Sequence, residues 1–312
     1  MRSALPALAA AVTACLAGTV AAGCSAPAPP AHARQSKPPA SYYLALGDSL
    51  SQGVQPDSSG ASVRTPDGYA SQLYTMLRKH DPGLRLTDLG CTGETTTTMI
   101  HGGVCSYQRK SQLAAAVSFL RAHRGHVALI TVDIGANDIN PCVMPFSVAK
   151  LAKVVSCIGK SFVDTTANLT TVLTALRPVA GHGRIIGMNY YLPELSEWRD
   201  GFLGEMFARL VEAEAARYNN LLTAEYRKFG ARTANVFGAF HTSDFGNDVT
   251  LPGYGRLPRN VAAICQWTWQ CAPPPRGPNQ HANQAGYAVI ARAFLLVGAA
   301  ATAPASGSSS RT

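Results

Sequence analysis

"YLALGDSLSQG" occupies residues 43–53 and sets Ser49 between an apolar run and a cluster of small polar residues. The first four letters read as a buried strand, and the Gly-Asp-Ser after them as the tight turn that ends it. In α/β folds ligands bind in the crevice beyond the carboxyl ends of parallel strands. A hydroxyl placed there is a candidate nucleophile. A plainer role suits the same residues, with Asp48 and Ser49 capping the helix that follows.

Outward from this stretch, apolar runs alternate with longer amphipathic ones: "YYLALGD", "GYASQLYTMLRKH", "LRLTDLG", "SQLAAAVSFLRAH" and "VALITVDIG" read β-α-β-α-β. Helix-like "FVDTTANLTTVLTALRPV", strand "RIIGMNYY", a long helix around "GEMFARLVEAEAARYNNLLTAEYRK", strand "TANVFGAF" and a last helix from about Asn283 continue the pattern. Such alternation predicts an α/β fold in three layers, α/β/α, around one parallel sheet of about five strands.

Hydrophobic residues make up 46% of the 312-residue chain and charged residues 14%, which predicts a large core and excludes a disordered protein. The net charge of +9 is spread without a long basic run, so nucleic acid is not an expected partner. That charge suits work beside anionic lipid or wall polymer, or simply solubility. Neither HExxH nor a His/Cys cluster at ligand spacing occurs, and no metal or organic cofactor is expected.

Arg2 followed by an uncharged Ala-rich run is the layout of an export signal over residues 1–23. "AAGC" at 21–24 fits a bacterial lipoprotein cleavage site, with Cys24 as the lipid-bearing terminus and the membrane reached through that lipid. Cleavage near "AHA" at 31–33 with free secretion, or an uncleaved anchor, are the alternatives. Residues 24–40 read as a Pro/Ala-rich stalk, 41–299 as the folded domain and 300–312 as a disordered tail. Removing Cys15 with the signal and assigning Cys24 to lipid leaves six cysteines, and pairing each with its sequence neighbour predicts Cys91–Cys105, Cys142–Cys157 and Cys265–Cys271.

Three more stretches carry chemistry. "LGCTGETTTT" supplies Gly93, whose backbone N–H can point into a site; "IGAND" supplies Asn137, a neutral side-chain donor; "PNQHANQAGY" supplies His281. Singly, these suit a turn, a helix cap and a surface residue. Together with Ser49 they match what acyl transfer needs: a nucleophile, a base and donors for an oxyanion. His241 in "GAFHTSD" is a second candidate base, and Asp48 and Asp138 suit local turns.

"GDSLSQG", "CTGETT", "GAND" and "HANQAGY" in this order resemble the blocks of the SGNH, or GDSL, hydrolase family over roughly residues 41–299. The six cysteines are similar to those of its secreted actinobacterial lipases and esterases. The resemblance implies a flavodoxin-like sheet and a serine esterase or lipase. Ser49 would attack the carbonyl, His281 would move its proton, and the N–H groups of Ser49 and Gly93 with the Asn137 amide would hold the oxyanion. The substrate would be an acyl ester, lipid or acylated glycan, handled by a monomer at the outer face of the cell membrane or in the medium. An inactive acyl- or glycan-binding module, a carbohydrate O-acetylesterase and an acyltransferase are the alternatives.

The chain departs from the family at Pro278, where the resemblance implies an Asp three residues before the histidine. The expectation is a Ser-His dyad in which the Pro278 carbonyl orients His281. "CQWTWQC" at 265–271 puts Trp267 and Trp269 in a small loop, either a wall for an acyl chain or a patch touching lipid, or else packing for the bridge.

Overall fold

In the computed structural model residues 40–143 and 151–299 are described, so the expected signal, Cys24, nearly all of the stalk and the tail lie outside the described residues. The central sheet has five parallel strands: β1 (Tyr42–Gly47), β2 (Arg85–Asp88), β3 (Val127–Asp133), β4 (Arg184–Met188) and β5 (Arg232–Ala234). Their spatial order is 2-1-3-4-5. The chain runs from β1 to one side and then returns to add β3 on the other. The order therefore reverses between β1 and β3, which is where a crevice opens in a doubly wound sheet. Ser49 follows the first of these strands and Asn137 the second.

The helices are α1 (Tyr69–Leu77), α2 (Thr96–His101), α3 (Gln112–Ala122), α4 (Ala136–Val143), α5 (Leu151–Leu176), α6 (Phe202–Lys228), α7 (Val236–Ala239), α8 (Arg259–Trp267) and α9 (Gln284–Ala299). They cover the sheet as the α/β/α expectation requires. Strands β1 and β3 are buried along nearly their whole length, as strands covered on both faces must be. All three disulfides join the cysteines expected from their spacing.

Two elements differ from the expected ones. "TANVFGAF" is not strand throughout: β5 stops at Ala234 because the Asn235 side chain accepts from the Gly238 N–H at 2.9 Å and caps α7. The helix expected from Phe162 begins at Leu151, and Cys157 on its second turn is bridged to Cys142 on α4. That bridge ties α5 to the end of the Asn137 segment.

Candidate active site

The turn after β1 is closed by Asp48, whose Oδ1 accepts from the Leu50 N–H at 2.9 Å. This is an Asx turn, and the expectation that Asp48 fixes the turn holds. Among the described residues the Ser49 N–H has no partner, and the side chain is 8% exposed. Gln112, at the start of α3, clamps Gly47, the last residue of β1, accepting from its N–H at 2.7 Å and donating to its carbonyl at 2.9 Å. The same amide nitrogen donates to the buried Glu94 carboxylate at 3.1 Å, joining the β1 turn to the Gly93 loop.

Ser49 Oγ lies 2.9 Å from His281 Nε2. The other ring nitrogen, Nδ1, lies 2.8 Å from Asn279 Oδ1. The same oxygen accepts the His281 backbone N–H at 3.0 Å. That second bond settles the orientation of the amide: turned over, its NH₂ would face a backbone donor. The oxygen therefore faces Nδ1, so Nδ1 carries the proton and Nε2 presents its lone pair to the Ser49 hydroxyl. The Pro278 carbonyl does not orient the ring. Asn279, one residue closer, forms an Asx turn onto residue 281 and brings a side-chain acceptor to the position where a backbone one was expected.

His241 is not near Ser49. It lies in a separate shallow groove with Phe237, Thr242 and Asp244, and it is no rival to His281. Asp244 is bonded to Asn247, and Asp248 is paired with Arg256. Neither acid is bonded to His281. Changing Asp244 or Asp248 singly to Asn is expected to alter kcat on a soluble ester by less than about twofold, against the roughly 10⁴-fold loss that follows neutralising a triad acid.

Burial pushes His281 down to about 4, so the imidazole is neutral over most of the working pH range. Behind the nucleophile the trend is opposite. Asp48 is raised to about 7 by burial, and Asp133 well above the usual carboxylate range by burial and then by the charge of Asp48. Asp133 accepts from the Tyr69 hydroxyl at 2.5 Å and from the Asp48 N–H at 3.3 Å. Both shifts favour the protonated forms and so act against negative charge behind the Ser49 turn.

Asn137 stands in the first turn of α4 and donates one amide hydrogen to the Glu94 carbonyl at 2.9 Å. Its other hydrogen has no partner among the described residues, and the side chain lines the same cavity as Ser49. Gly93 is exposed with φ +83°, and its N–H is likewise unpaired among the described residues. An added Cβ would meet almost nothing, so the left-handed backbone alone requires glycine here. Asp138 does more than close a local turn. Its carboxylate accepts from the Thr96 N–H at 2.9 Å and the Thr96 hydroxyl at 2.6 Å, holding the Gly93 loop against α4.

A cavity of about 320 Å³ opens over Ser49, Asn137 and His281. Its far walls are apolar: Ile158 and Phe162 from α5, Tyr191 and Leu192 after β4, and Phe207 and Val211 from α6. Neither Trp267 nor Trp269 lines it. Trp267 packs edge-on against Phe240, while Trp269 donates to Gln55 and lies under Arg276. The tryptophan loop is therefore not a wall of this cavity.

The model of the GDSL-like lipase/acylhydrolase family matches residues 45–289. The chain belongs to this family of acyl hydrolases. No curated protein matches the chain. Among solved structures, an extracellular lipase from Streptomyces rimosus is 18% identical, with a TM-score of 0.52 over 84% of this chain and 100% of that one. The phospholipase A1 of Streptomyces albidoflavus is 17% identical, with a TM-score of 0.50 over 85% and 100%. The lipase Lip_vut3 from a goat rumen metagenome is 14% identical, with a TM-score of 0.52 over 83% and 97%. At these identities the likeness is one of fold, and it agrees with the three-layer architecture of an SGNH hydrolase.

Within this GDSL hydrolase, reading the sequence brought Ser49, Gly93, Asn137 and His281 together but missed Asn279, Gln112 and Glu94. For Asn279 a signal existed, since an Asn two residues before a histidine is the spacing of an Asx turn. Nothing in the local pattern marks Gln112 or Glu94, whose partners lie 65 and 18 residues away.

Proposed function

We propose that the protein is an exported serine carboxylesterase of lipase type, acting on esters with medium or long acyl chains through Ser49 and His281. The observation that carries this reading is the 2.9 Å approach of Ser49 Oγ to His281 Nε2 beneath a largely apolar cavity. Ser49 attacks the ester carbonyl as Nε2 takes its proton. His281 then protonates the leaving alcohol, and water repeats the sequence on the acyl-enzyme. The N–H groups of Ser49 and Gly93 and the free hydrogen of the Asn137 amide receive the oxyanion, each donor contributing about 3–4 kcal/mol in the transition state. Asn279 holds the tautomer but adds no charge, so the machinery is a dyad with a neutral positioning residue. Three disulfides support export to an oxidising compartment. Anchoring through Cys24 remains part of this proposal.

An acetyl group would leave most of the cavity unfilled. Apolar contact contributes about 0.8 kcal/mol for each buried methylene, so kcat/KM should climb several-fold per methylene from acetate toward octanoate esters. A series confined to acetate would instead identify a carbohydrate acetylesterase. The base works only when neutral, and its pKa is lowered to about 4. The kcat/KM profile should therefore rise as pH increases through about 4 and be level by about 6. An acid limb centred at 6.5 or above would contradict the neutral, desolvated imidazole.

A further inference from the structure

The first turns of α6 carry an apolar ridge that the fold does not use. Phe202 and Leu203 are 75% and 76% exposed, Met206 54% and Leu210 50%. On a helix these positions fall within about 100° of arc, so they form one continuous stripe. Phe202, Leu203 and Met206 belong to neither core cluster and do not line the cavity.

Backbone packing fixes the direction the ridge faces. Behind it Gly204 lies against the 3₁₀ segment Pro193–Asp200, where a Cβ would sit 1.9 Å from the Glu197 carbonyl oxygen. Gly204 and Ala208 are the buried side of these turns, and the ridge is turned away from them. At its far end the ridge meets the cavity, because Leu210 belongs to both and Phe207 and Val211 line the wall beside it. Whatever covers the ridge is placed at the cavity mouth.

The chemistry of that occupant follows from charge. No ionisable group interrupts the stripe, and the arginines that α6 carries beside it are engaged: Arg209 over the rings of Trp198 and Phe245, Arg217 with Glu214. An anionic surface calls for cations, whereas an uncharged one calls only for apolar area. We propose that the α6 ridge docks on the surface of an uncharged, water-insoluble ester aggregate and seats the cavity mouth against it. This rests on the esterase reading for its purpose, though docking itself needs no turnover.

The test compares the full chain bearing Ser49→Ala with the same chain bearing Phe202→Ser, Leu203→Ser and Met206→Ser as well, by flotation with triolein droplets. The ridge variant is expected to partition about 100-fold less, since each apolar side chain withdrawn from water contributes on the order of a tenfold factor. With Ser49 intact, the three substitutions should cut turnover of emulsified triolein at least about tenfold while kcat/KM on soluble p-nitrophenyl butyrate stays within about twofold. Equal flotation of both chains, or equal losses on the two substrates, would overturn the proposal. So would stronger binding to phosphatidylglycerol vesicles than to triolein, or a parent dimer that the substitutions dissociate, which would give the face to a second copy. Ridge-dependent flotation in a chain that hydrolyses no ester would uphold docking and refute the esterase reading alone.

Discussion

Alanine in place of Ser49 is expected to lower kcat on p-nitrophenyl butyrate by about 10⁵-fold or more, with KM changed by less than about threefold. Among the described residues the hydroxyl is the only group that bonds His281 Nε2, so its removal takes away both the proposed nucleophile and the proton that the base would accept. The apolar wall of the cavity is untouched. His281→Ala should cost about as much, and the double variant little more than either single one, because the two side chains act as a unit. The residual rate would come from the oxyanion donors and binding. Steady-state kinetics of the three variants check this, and additive losses would show that the pair does not act together.

The second large effect concerns Asn279. Asn279→Leu removes the acceptor shared by the His281 backbone N–H and Nδ1, so the ring loses its tautomeric preference and its orientation. A loss in kcat on the order of 10³-fold is expected, below the roughly 10⁴-fold for a triad acid because an amide contributes no charge. Asn279→Asp should do the opposite. Its carboxylate keeps both bonds and adds a negative charge beside the imidazolium, which raises the pKa of His281 from about 4, by about 1–3 units. The acid limb should move up by that amount, and kcat at pH 8 should rise. A merely structural Asn279 would leave the limb in place. A loss of less than twofold in Asn279→Leu would show that another group orients the ring.

Most of the framework was legible because it depends on local chemistry. Strand ends with Gly-Asp-Ser and Gly-Ala-Asn, paired cysteines 6 to 15 residues apart and the alternation of apolar runs all leave short-range marks. The resemblance to GDSL hydrolases rested on the same stretches. What was not legible depends on contacts between distant segments. The cavity walls come from α5 and α6, whose apolar residues look alike whether they face a core, a cavity or water. Phe162 is buried against Tyr218, whereas Phe202 stands in solvent because Gly204, on the opposite side of α6, is the face that packs on Glu197. The tryptophans at 267 and 269 stand out by type, yet neither lines the cavity. For His281 the expected orienting group is a backbone carbonyl three residues away, but a side chain two residues away reaches the ring with less constraint.

Reaction with a p-nitrophenyl alkylphosphonate, followed by peptide mass spectrometry, tests the central claim most directly. The phosphonate is attacked at phosphorus by an activated serine and releases p-nitrophenol, leaving a stable adduct that mimics the tetrahedral intermediate. One phosphonyl group on Ser49, with ester turnover lost in proportion to labelling and no labelling in His281→Ala, is the predicted result. Label on another residue, or undiminished turnover by chains fully labelled at Ser49, would contradict it.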